Sequence, residues 1–177
     1  EQGADSLFAL SPDDVIAERM SRRALDRFEA AGGTRLVRAA RQRYQKALLA
    51  LVRGQQLPDA YRLIERVLGR LSAAISSGPA HHQLRMAAAL ASDWLRNPQR
   101  PDPGMLIVLR QIDRFLRNAI ATGPAFVRAP VQRDLAALLV EQLRMIPEPG
   151  PVAARIIDEF DLGGADATVS SMGPDRE

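Results

Sequence analysis

The chain contains no cysteine, and its only histidines are the adjacent His81 and His82. Without thiols there are no disulfides, no thiolate-ligated metal and no cysteine nucleophile, so thioester-forming ligases and thiol proteases are excluded. Neighbouring residues on a helix point about 100 degrees apart, which makes the histidine pair a poor chelate and a pair facing water the simpler reading. Long apolar runs are missing too. Runs such as Met105 to Leu109 and Leu135 to Val140 fall far short of the roughly 20 residues that a membrane helix needs. No basic segment followed by an apolar stretch opens the sequence. A glycine-rich phosphate loop, the HExxH and GxSxG patterns and a carboxylate-rich calcium loop are likewise missing. No catalytic residue, metal ligand or cofactor is therefore assigned. Strict alternation of apolar and polar residues occurs nowhere, so no sheet is expected.

What is present is repetition. Pro58 and Pro103 each open a segment that reaches a Gly-Pro pair twenty residues later, at Gly78-Pro79 and Gly123-Pro124. Leu71-Ser-Ala-Ala74-Ile75-Ser-Ser-Gly78-Pro79-Ala80 lies over Leu116-Arg-Asn-Ala119-Ile120-Ala-Thr-Gly123-Pro124-Ala125. The stretch from Arg85 to Arg96 overlays Arg133 to Arg144 in the same way. A period near 45 residues is the mark of tandem helical hairpins.

Turn and cap signals divide the 177 residues of this single domain. Residues 1 to 10 form a short lead with Leu7, Phe8 and Leu10 as docking groups. Ser11-Pro12-Asp13-Asp14 has the residues of a helix start, with a capping serine, a proline in the first turn and acids at the positive end of the dipole. Three hairpins are read over residues 12–53, 58–96 and 103–146, the second helix capped by Thr34 and the sixth opened by Pro130. A short helix over 152–160 and a polar tail over 163–177 complete the chain. Val37, Ala40, Tyr44, Ala47 and Leu51 recur at helical spacing and make one buried stripe on the second helix. A lone hairpin leaves its apolar face wet; stacking, at about 1.5–3 kcal/mol for each buried Leu or Ile, offsets the entropy of ordering. The fold class is all-α, either a compact multi-helix bundle or a short α-solenoid. The apolar richness of the fifth and sixth helices favours closure.

Charge is unevenly spread. From Arg35 to Arg53 there are six basic residues and no acid, whereas residues 141–177 carry eight acids against three arginines. On the helical wheel Lys46 and Arg53 fall within about 20 degrees of Arg35, Arg38 and Arg43 flank them, and the apolar stripe lies opposite. Arg35, Arg38, Arg41, Arg43, Lys46 and Arg53 are accordingly the candidate partner-binding residues. The same face also reads as a solvated surface that keeps the domain dispersed. Trp94, the one tryptophan, is added as an interface anchor, although closing the end of a core is the commoner role of such a residue. Phe126, Val127, Met145 and Ile146 flank chain breaks and are further docking candidates.

These features describe a non-enzymatic protein–protein interaction module whose partner presents an acidic or amphipathic segment. Nucleic acid stands second as a partner, because no aromatic is interleaved among the arginines to stack bases. An enzyme, or an enzyme-recruiting bacterial effector, assembled from scattered residues is the third possibility. Glu1 in place of methionine, and a basic complement in which Lys46 is the sole lysine among 24 cations, suggest a fragment of a larger bacterial protein. It reads as soluble, cytoplasmic or exported without a visible signal.

Overall fold

The structure is a computed structural model that describes residues 12–30 and 32–163. The lead over 1–10, the capping Ser11 and the tail beyond Gly163 lie outside the described residues. Seven α-helices and no strand are found within them: α1 (Pro12–Ala30), α2 (Gly33–Arg53), α3 (Leu57–Ile75), α4 (Pro79–Arg96), α5 (Pro103–Thr122), α6 (Arg133–Arg144) and α7 (Pro151–Glu159). A 3-10 helix, Gly123–Arg128, stands between α5 and α6.

Proline and glycine set the boundaries. Proline occupies the first turn of α3, α4, α5 and α7, where its missing N–H costs nothing. At α5, Asp102 adds a side-chain cap, its carboxylate accepting from the Met105 amide at 2.8 Å. The two aligned Gly-Pro pairs share an unusual backbone. Gly78 has φ 90°, ψ −178° and Gly123 has φ 74°, ψ −159°, a region essentially closed to residues with a side chain. After Gly78 the chain enters α4 at once, but after Gly123 it makes the 3-10 turns instead.

That difference corrects two expectations. The sixth helix begins at Arg133, so Pro130 precedes it; Ala129, held extended at ψ 144°, shows the bias that a following proline imposes. Phe126 and Val127 are core residues, only 5% and 3% exposed. The Phe126 ring meets Phe28 of α1 edge-on at 5.2 Å and Phe115 of α5 at 6.3 Å. At the start of α2 the expected Thr34 cap is replaced by Gly32 in a left-handed conformation, φ 99°, and Thr34 lies inside the first turn.

The helices close into a bundle. α2 packs against α3 on one side and α5 on the other, α3 runs along α4, α4 meets α6 and α7, and α6 returns to α5. In a linear stack α5 would continue from α4; here it lies against α2, completing a circuit. One apolar cluster fills it, with Tyr44, Leu51, Tyr61, Leu68, Leu90 and Leu109 fully buried. The buried hydroxyls are satisfied by backbone carbonyls: Tyr44 donates to Leu109 and Tyr61 to Gln99, both at 2.6 Å. Burial raises the ionisation range of both phenols, that of Tyr61 to about 12, with lesser contributions from Asp113 at Tyr44 and Asp102 at Tyr61. α1 crosses one end of the bundle, against α3 and the 3-10 helix.

Candidate functional site

The buried stripe on α2 appears as the spacing requires, with Val37, Ala40, Tyr44, Ala47 and Leu51 inside. Its opposite face carries Arg35, Arg38, Lys46 and Arg53, all exposed, with Arg43 exposed at the edge toward α3. None of these five cations has an ion-pair partner among the described residues. Leu49, 49% exposed, lies within the same face and gives it an apolar component.

Arg41 is placed differently. Its guanidinium turns toward α5 and pairs with Asp113 at 3.1 and 3.4 Å, with both side chains about a quarter exposed (24% and 24%). It fastens the α2–α5 seam and is not part of the open face. Trp94 sits half-buried near the end of α4, packed on the core with its ring 6.1 Å from that of Tyr61. That position is remote in the chain from the cationic face and matches the core-closing role. Of the other apolar candidates, Met145 is 65% exposed, and Ile146 is partly buried against the core.

Beside the cationic face runs a groove that reading one helix at a time does not reveal. α2 and α3 are joined by three residues and pack antiparallel, leaving between them a cleft of about 280 Å³. Leu36, Ala39 and Ala40 from α2 and Leu63, Val67 and Leu71 from α3 form its apolar lining. Arg43 stands on the α2 rim, and Arg66 and Arg70, one turn apart, stand on the α3 rim. Among the described residues the lining contains three cations and no acid. Arg66 and Arg70 are exposed and, like Arg43, have no ion-pair partner among the described residues. Their i, i+4 spacing is visible in the sequence; that the α2 and α3 cations flank one trough depends on the packing of two helices.

Each histidine contacts a neighbouring element. His81 Nδ1 lies 2.7 Å from the Ser72 carbonyl, and His82 places its ring edge-on to Phe160 at 5.4 Å. The pair thus sits at helix contacts and does not simply face water. Burial and the neighbouring His81 and Arg85 lower the His82 ionisation range. Arg85 beside it clasps Glu159 through two 2.6 Å bonds and lies 5.9 Å from the Phe160 ring, joining α7 to α4. Among the described residues no three His, Cys, Asp or Glu side chains converge as metal ligands, and no helix is long and apolar enough to cross a membrane.

No curated protein and no solved structure matches the chain. A family model does match, over residues 29–170, which take in every helix from α2 to α7 and the groove between α2 and α3. That model describes the second domain of the FimL scaffold protein. With an all-helical bundle whose open cationic face and groove lie within the matched span, the chain belongs to the family of FimL scaffold protein second domains.

Proposed function

We propose that this scaffold domain is a non-enzymatic docking platform, part of a larger bacterial protein, that holds a partner protein by an acidic or amphipathic segment. The observation carrying this reading is the set of five cations on α2 that have no ion-pair partner among the described residues and lie beside an apolar cleft with cations on both rims. An unpaired cation on a rigid helix attracts acidic surfaces, speeds encounter and fixes orientation, while apolar contact supplies most of the affinity. The scaffold family supports protein as the partner class.

The test is an unbiased partner capture with the wild type and with the triple variant Arg35→Glu, Arg38→Glu, Lys46→Glu. Loss of specific partners from the variant, with unchanged helicity, is the expected result. Identical partner sets would remove the cationic face from the account. Nucleic acid is the second reading, since a one-signed face can also track phosphates. It requires binding to DNA or RNA that is indifferent to sequence and falls steeply with salt. Absence of such binding at low salt would eliminate it.

A further inference from the structure

The geometry points to the α2–α3 groove as the seat of an acidic amphipathic helix from the partner protein, a deepening of the docking function that rests on that reading. The argument begins with what the cleft can accept. Its floor is aliphatic, formed by Leu36, Ala40, Leu63, Val67 and Leu71. Among the described residues no aromatic lines it, so a nucleobase would find none of them to stack on. A volume of about 280 Å³ is smaller than that of most drug-sized ligand pockets but suits inserted leucine-sized side chains.

The shape selects a helix. Two antiparallel helices present ridges and a trough, and a third helix laid along them can pack by the same interdigitation that joins helices in the core. Among the described residues there is no strand, so there is no sheet edge for an extended peptide to join. The charges select its sign and pattern. Arg66 and Arg70 repeat at one-turn spacing along one rim while Arg43 faces them from the other. A guest helix with apolar residues on one face and carboxylates flanking them on both sides satisfies floor and rims together. A basic helix would meet three cations at close range.

The experiment uses the whole 177-residue chain and a panel of designed, fluorescein-labelled helical peptides. Leucines at i, i+3, i+4 and i+7 form the apolar face, and glutamates flank it. Control peptides replace glutamate by lysine, or leucine by serine. The acidic amphipathic peptides are expected to bind, to shift the methyl resonances of Leu36, Leu63, Val67 and Leu71, and to leave those of Leu139 and Leu143 in α6 unmoved. Arg66→Glu with Arg70→Glu is expected to weaken binding about tenfold or more, because opposite charges at the rim become like charges. Ala39→Trp, at an exposed position, fills the cleft without altering charge and is expected to weaken binding as well.

Peptides that fail to bind at low salt, or that bind while shifting only methyls away from the cleft, overturn the groove. Displacement of the peptide by an oligonucleotide that leaves the groove methyls unmoved also overturns it, in favour of phosphate tracking. If neither groove variant affects binding of a captured partner but the Arg35, Arg38, Lys46 triple variant does, the groove fails and the docking function stands. If none of these variants affects it, both fail.

Discussion

At the scale of single residues, Gly123 shows how much a backbone conformation can matter where no contact is at stake. A methyl group added at Gly123 would meet nothing within 4 Å, so space does not forbid a side chain there. The dihedral angles do: φ 74°, ψ −159° is accessible to glycine and costly to other residues. Gly123→Ala is expected to destabilise the fold by about 1–3 kcal/mol, seen as a lower urea midpoint with an unchanged slope. The two buried tyrosines make a second prediction. Their phenols ionise at higher pH in the folded chain than in the unfolded one, chiefly because burial disfavours the anion. Their contribution is complete below the unfolded value near 10 and is lost as pH rises through the folded range, which for Tyr61 is about 12. Stability followed by denaturant titration should therefore fall above about pH 10. A chain carrying both Tyr44→Phe and Tyr61→Phe should show a smaller decline over that window, from a lower starting stability, because the buried Leu109 carbonyl and the part-buried Gln99 carbonyl lose their donors.

At the scale of the helix, the caps carry quantities that can be measured. Asp102→Ala removes the side-chain cap at the start of α5 and should cost about 1 kcal/mol, while Asp102→Asn should retain most of it. The sequence is most legible at this scale, and where it is not the causes are physical. The α2 stripe follows from three- and four-residue spacing, because burial on one face of a helix has to repeat with the helix. The start of α6 is not legible in the sequence, because Pro130 is equally suited to a first helical turn and to an extended approach. The 3-10 helix between two Pro-containing breaks left the sequence no apolar period to reveal it. Helical angle alone groups Arg41 with the open cations, because it cannot show that Asp113, 72 positions away, lies opposite. The place of the α3 rim arginines is hidden from the sequence for the same reason, since a groove belongs to a pair of helices.

At the scale of the whole molecule, closure depends on a small aromatic cluster. Phe126 stands between Phe28 of α1 and Phe115 of α5, where the end of the bundle is covered. Phe126→Ala is expected to cost about 3–5 kcal/mol in equilibrium unfolding. Amide exchange should show α1 losing protection before α2 and α3 do, since α1 lies mainly against α3 and the 3-10 helix. The expected choice between solenoid and bundle is settled by the α2–α5 contact. It could not be derived from a repeat alone, because tandem hairpins are compatible with a line or a circle, and only long-range pairing separates them.

The seam between α2 and α5 has one more consequence. With the Tyr44 hydroxyl and the Arg41 guanidinium both anchored across it, the outward side of α2 is held in place before any guest arrives. The conformational entropy lost on association is then borne almost wholly by the incoming chain. Loosening that seam, as Asp113→Ala would, should slow recognition without altering a single atom of the surface that is recognised.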